Sequence, residues 1–301
     1  MPGFTLDTVI KLTTTFKDMK TKPRLVKETC IAGRVIDRTI RLSYGVVGGK
    51  KRAEKTNPTP ESVRKNNDRI ATLNLSRKIN ANFGPDDGHL ILTYAREPNQ
   101  EEARHCFELF KRRLQRKAKK ADLEVRMVWA TELQSRIHHH VVISRIDLAL
   151  IRECFTWGRV KWIPLDEESN GNYYKLAEYI IKETSENFRS PENQTKQRYS
   201  CTRNLESPII VRQPASPKEF SIDRIKPIKG YQIDEDTVNE YENPVTGCPT
   251  ISYMMTAIDA EPRLKRWRGG KHAKIVRPES LATFEQLRQI EFSDLFEWDY
   301  L

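Results

Sequence analysis

An α+β fold, with an antiparallel sheet in the ferredoxin-like split β-α-β arrangement and helices on one face, is predicted by three features of the chain. Between residues 61 and 186 the apolar pattern changes period repeatedly, in the order helix, strand, helix, strand, strand, helix, strand, helix. The two middle strands are joined only by a polar turn at Gln134-Ser135, which calls for an antiparallel hairpin, while helices fill the longer connections. The segments on either side have weaker periodicity and more prolines, and are expected to be loop-rich terminal extensions.

Residues 1–60 end in Gly48-Gly49-Lys50-Lys51-Arg52 and Pro58-Thr59-Pro60, which reads as a basic N-terminal extension and linker. Ile70, Leu73 and Ile79 lie near helical spacing over 61–80, and the helix stops at the turn Asn82-Phe83-Gly84-Pro85-Asp86-Asp87-Gly88. His89 to Ala95 is a strand closed by Pro98. Asn99 and Glu102 form a capping pair for a helix whose stripe is Ala103, Phe107, Phe110 and Leu114. Val125, Met127 and Trp129 alternate with Arg126, Val128 and Ala130 in the next strand, which turns into Ile137-His138-His139-His140-Val141-Val142-Ile143. Asp147 opens a short helix over Leu148 to Phe155, Arg159 to Ile163 is a strand, and Tyr173 to Glu186 is an added helix. The predicted boundaries are a basic extension over 1–60, a folded domain over 61–207, and a C-terminal extension over 208–301.

The 301 residues carry a formal charge of +11 and a pI near 9.4, which suits a polyanionic partner. Five widely spaced cysteines without a CxxC pair argue against a disulfide framework or a cysteine zinc site, and fit the cytoplasm. No window approaches the length of an apolar membrane span, so no membrane partner is expected.

The chemistry centres on the three histidines. In a strand, alternate side chains share a face, so His138 and His140 point one way and His139 the other. A hairpin centred near Ser135 makes Glu132 the cross-strand partner of His138, on the same face. Two imidazoles and a carboxylate can hold a divalent metal with positions left open, although the same trio also reads as an ordinary buried Glu–His pair. By the same alternation, His139 is expected to be replaceable by an apolar residue. On the last helix Lys175, Tyr179 and Lys182 share one face, where nearby ammonium groups would favour a tyrosinate. A surface Tyr and Lys on an amphipathic helix is the plainer alternative.

These residues carry a family resemblance. His138-His139-His140 resembles the His-hydrophobic-His signature of the HUH endonucleases, with a histidine in the middle position. Tyr179-Ile180-Ile181-Lys182 resembles the Tyr-x-x-Lys of their rolling-circle replication initiators, and Ile91-Leu92-Thr93-Tyr94 resembles the first motif of those proteins. The stretches IHHHVVI, YKLAEYIIKET and RYSCTRNLESP are similar to replication-associated proteins of Gram-positive bacterial plasmids, phages and integrative elements, over roughly residues 65 to 210.

The resemblance implies a site-specific single-strand DNA endonuclease and strand transferase that initiates rolling-circle replication through a 5′-phosphotyrosine. It implies Mg²⁺ or Mn²⁺ on Glu132, His138 and His140, attack by Tyr179, and assistance from Lys182. Some phage relatives carry a second tyrosine four residues on; here that position is Glu183, which either activates water to end the cycle or is a surface carboxylate. The expected partners are single-stranded or supercoiled origin DNA and a host helicase and polymerase, since the chain has no GxxxxGK[ST] phosphate loop. Arg112, Arg113, Arg116 and Lys175, with Arg266, Trp267 and Arg268, are the candidate DNA contacts. A conjugative relaxase or tyrosine transposase of the same superfamily would share this chemistry, and a non-catalytic nucleic-acid-binding protein would use only the basic and aromatic residues.

Overall fold

The computed structural model describes residues 24–43, 60–133, 136–165, 171–189, 197–244 and 247–258. In chain order these form β1 (Arg24–Ala32), β2 (Val35–Ser43), α1 (Glu61–Asn82), β3 (Gly88–Tyr94), α2 (Gln100–Lys120), β4 (Met127–Glu132) and β5 (His138–Ile143). They continue with α3 (Leu148–Cys154), β6 (Gly158–Pro164), α4 (Tyr174–Arg189), β7 (Ser200–Cys201), β8 (Ile209–Pro214), β9 (Tyr231–Glu242) and β10 (Pro249–Ala257). The result is a mixed α/β architecture with two five-stranded antiparallel sheets in two compact units. One unit spans 67–206; the other joins the described residues before Asn67 to those after Glu206. Among the described residues no helix is long and apolar enough to cross a membrane.

In the 67–206 unit the strand order is β6-β3-β5-β4-β7, so the histidine strand β5 is central. Each β-α-β connection skips over one intervening strand: α2 carries the chain from β3 to β4 across β5, and α3 carries it from β5 to β6 across β3. The turn before β3 is fixed by Asp87, whose carboxylate accepts from the backbone N–H groups of Gly84 at 2.9 Å and Arg145 at 2.7 Å. The capping box of α2 forms, with Asn99 Oδ1 accepting from Glu102 N and Glu102 Oε2 accepting from Asn99 N.

Both faces of this sheet are covered. Leu90, Leu92, Met127, Val141 and Ile143 pack against Phe107, Phe110 and Leu114 of α2 and Ile151 of α3. Val128, Ala130 and Val142 pack on the other side against Leu75 and Ile79 of α1 and Leu176, Ile180 and Ile181 of α4. The expectation of helices on one face holds for α2 and α3 only. The uninterrupted Val141-Val142-Ile143 run is the physical reason for the difference, because a strand apolar at consecutive positions needs cover on both sides.

The loop-rich reading of the terminal extensions also needs correction, since the described residues before 61 and after 208 include strands from Arg24 to Ser43 and from Ile209 to Ala257. Strands β1 and β2 pair with strands from the far end of the chain in the order β8-β1-β2-β10-β9. Gly33, at φ 58°, opens the two-residue turn of the β1–β2 hairpin, which runs in register from Ala32↔Val35 to Arg24↔Ser43. Ile31, Ile40, Ile251, Tyr253 and Met255 form this unit's core together with Phe220.

One close approach in the first sheet limits the sequence. Gly158 pairs with Tyr94 where β6 meets β3, and a Cβ there would lie 2.0 Å from the carbonyl oxygen of Thr93. Backbone cannot rotate away as a side chain can. Gly158→Ala is expected to lower the stability of this unit by about 3 kcal/mol, read as a shifted midpoint in urea unfolding. An unchanged midpoint would show that the β3–β6 edge yields.

Candidate metal centre and its neighbouring tyrosine

β4 and β5 pair Glu132 directly with His138 and Ala130 with His140, the register expected from the sequence spacing. Alternation then gathers Glu132, His138 and His140 on one face. Glu132 Oε2 lies 3.0 Å from His138 Nε2 and 3.8 Å from His140 Nε2, and the two Nε2 atoms are 3.1 Å apart. Glu132 and His140 are buried and His138 is half-buried.

The proton positions follow from the outer partners. His138 Nδ1 lies 2.9 Å from the carbonyl oxygen of Arg136, which can only accept, so Nδ1 carries a proton and the neutral ring presents the Nε2 lone pair to the group. His140 Nδ1 lies 3.2 Å from His89 Nε2, and in the tautomer that directs the His140 proton there the His140 Nε2 lone pair is turned inward. Two imidazole nitrogens and a carboxylate oxygen, within 4.8 Å of one another, then converge on one point. Such a group could hold a metal ion.

Burial sets the protonation of two members of the group. Burial, reinforced by the neighbouring imidazoles, lowers the His140 pKa to about 3, which keeps the ring neutral and able to ligate. Burial also raises the Glu132 carboxyl above its usual range; the charge of Glu183 pushes in the same direction and His138 opposes it.

His139 takes the opposite face, but it is not an indifferent packing residue. Tyr94 donates its hydroxyl to Ala103 O, so the same oxygen must accept from His139 Nε2 at 2.8 Å, and His139 Nδ1 accepts from Thr131 Oγ1 at 2.9 Å. The ring also stacks on Phe107 with centroids 4.3 Å apart. The expectation that an apolar residue could replace it is therefore corrected: substitution would leave the buried Tyr94 oxygen without its donor. His139→Leu is expected to cost about 1–3 kcal/mol in urea unfolding, with Mn²⁺ affinity held within a few-fold of wild type.

On α4, Tyr179 sits edge-on to His140, with ring centroids 5.3 Å apart and planes at 89°. It is 43% exposed, open to a substrate on its outer side. Lys175 and Lys182 are exposed on the same helix, and Glu183 lies near enough to act on Glu132. The helix is held at both ends by α1. Near its start, Asn80 Oδ1 accepts from Tyr173 N at 2.9 Å, and Asn172 Oδ1 accepts from Tyr174 N at 3.1 Å. Near its end, Asp68 pairs with both Arg189 and Arg198, the latter at 2.5 Å.

The remaining DNA candidates are not brought to this site. Arg112, Arg113 and Arg116 belong to α2, which packs on the other face of the sheet, and Arg113 lies over the Trp157 ring at 4.8 Å. Arg266, Trp267 and Arg268 lie outside the described residues. Sequence reasoning missed His89, Asn80 and Asp68. His89 was open to discovery: Leu90, Leu92 and Tyr94 face α2, so alternation turns His89 toward the histidine side. His89→Ala is expected to weaken Mn²⁺ binding about 10- to 100-fold in titration calorimetry, as loss of the group that orients a ligand does. Unchanged affinity would mean that His140 needs no such support.

The matches to known proteins fall on this same stretch. No curated protein and no solved structure matches the chain. From His89 in β3 to Phe188 near the end of α4, however, residues 89–188 match the family described as replication-associated protein ORF2/G2P.

Proposed function

We propose that this chain is a metal-dependent DNA nickase and strand transferase that starts rolling-circle replication, with Tyr179 as its nucleophile. The observation that carries this reading is an exposed tyrosine set edge-on against a buried Glu/His/His group able to hold a divalent ion. The similarity of residues 89–188 to replication-associated proteins supports DNA as the substrate and favours an initiator over a relaxase or transposase.

Mg²⁺ or Mn²⁺ on Glu132, His138 and His140 would withdraw charge from a phosphodiester and fix it in place. The chain's own groups account for the rest. The Tyr179 phenol loses its proton to solvent and its oxygen bonds to phosphorus, while the bond from phosphorus to the 3′ oxygen breaks. The departing oxygen takes up a proton and becomes a free 3′-OH for a host polymerase, with a host helicase to open the duplex. The 5′ phosphate stays on Tyr179, so an incoming 3′-OH can reverse the step and rejoin the strand. Lys175 and Lys182 flank the tyrosine and offset backbone charge. Glu183, beside Glu132, is the group that would take a proton from water to end the cycle hydrolytically.

The test is incubation with labelled single-stranded origin DNA and Mn²⁺, followed by denaturing electrophoresis. A covalent adduct is expected from wild type, and none from Tyr179→Phe or in excess chelator. An adduct that survives Tyr179→Phe removes the tyrosine from this role, and one indifferent to chelator removes the metal. No adduct with any origin-derived strand would favour a non-catalytic binder.

A further inference from the structure

An open groove of about 470 Å³ lies on the α2 side of the sheet, between that helix and the edge at β7, away from the Glu/His/His group. Its walls bring together Lys111, Arg112 and Arg203 against a single carboxylate, Glu108. Lys111 is held by Glu108 at 2.7 Å and lies 4.2 Å over the ring of Trp129, which fixes one cation on an aromatic wall. Arg112 and Arg203 are exposed, and neither pairs with a carboxylate among the described residues. On the rim the Asn204 side-chain amide is committed to Glu124 at 2.9 Å and to Val125 O at 3.1 Å, which also ties up that second carboxylate.

Two uncommitted guanidinium groups facing one channel concentrate positive potential and match phosphate oxygens in planar, two-point fashion. An open channel suits a chain that passes through it better than a small enclosed anion. The sheet separates this groove from the Glu/His/His face, so a strand engaged there leaves the groove free.

We propose that the groove is a second nucleic-acid site, holding the phosphodiester backbone of the substrate at a distance from the scissile bond. The choice of nucleic acid over another polyanion rests on the DNA-cleaving reading above; the cationic groove does not. It also gives Arg112 a defined role and adds Lys111 and Arg203, while Arg113 is occupied with Trp157.

The experiment uses the full chain with Arg112→Ala and Arg203→Ala combined, its folding checked by urea unfolding, and Lys218→Ala in the other unit as a charge control. Fluorescence anisotropy with a long labelled single strand is measured across a salt series. Affinity is expected to fall about ten-fold, and the slope of log affinity against log salt to shrink by about 1.4, two phosphate contacts at about 0.7 each. Lys218→Ala should keep the wild-type affinity and slope. Unchanged affinity and slope in the double variant would overturn the proposal. So would intact DNA binding with lost binding of polyglutamate, which would indicate an acidic protein partner. If wild type formed no covalent adduct but the double variant still lost affinity and slope, the groove would stand and the cleavage reading would fall.

Discussion

The pairing of Glu132 with His138 across the β4–β5 hairpin is the constraint on which the candidate centre depends. Strand geometry gives each side chain one of two faces, so a shift of one residue in this register would exchange every assignment at once. His138 and His140 would turn toward the aromatic packing of α2, and His139 would turn out of its bonds with Tyr94 and Thr131. The wrong register therefore loses the metal-capable group and two buried hydrogen bonds together. His139 specifies the register from the far side of the sheet.

Placement in a central strand gives this register its rigidity. β5 is bonded on both edges, to β3 and to β4, and its two faces are covered by separate pairs of helices. Tyr179, by contrast, arrives on α4, whose position depends on α1. Asn80 and Asp68 are twelve positions apart on that helix, about 18 Å at the helical rise, and they grip opposite ends of the tyrosine helix. Bonds at both ends restrain both sliding and tilting of α4, either of which would carry Tyr179 away from His140. The acidic and imidazole groups are thus positioned by the sheet, and the tyrosine by a helix pair.

Much of this was legible from the sequence because it is local. A six-residue spacing around a polar turn fixes the Glu132–His138 partnership, and alternation fixes the rest of the face. The element order from Gly88 to Arg189 follows from periodicity and from the Asn99 and Asp147 caps, both of which bond as their residue types suggest. What stayed hidden depends on distant partners. β2 pairs with β10, as in Arg41↔Thr250, and nothing in the charged, mixed alternation of VIDRTIRLS announces a partner two hundred residues away. Asn80 and Asp68 sit on a helix whose polar residues read as a solvated face until α4 is laid against them. The second covered face of the sheet was visible in Val141-Val142-Ile143, whose consecutive apolar residues the hairpin pattern alone does not require.

The candidate centre is at odds with the economy of the rest of the domain. Elsewhere in the 67–206 unit, Asp87 accepts from two backbone N–H groups and Asn82 bonds Glu206 in both directions, donor matched to acceptor. At Glu132, His138 and His140, two imidazole nitrogens and a carboxylate oxygen converge instead, and burial disfavours both the Glu132 carboxylate charge and a His140 imidazolium. This group, on the central strand of the sheet and next to an exposed phenol, could hold a metal ion, and nothing in its own packing supplies the charge such an ion would bring.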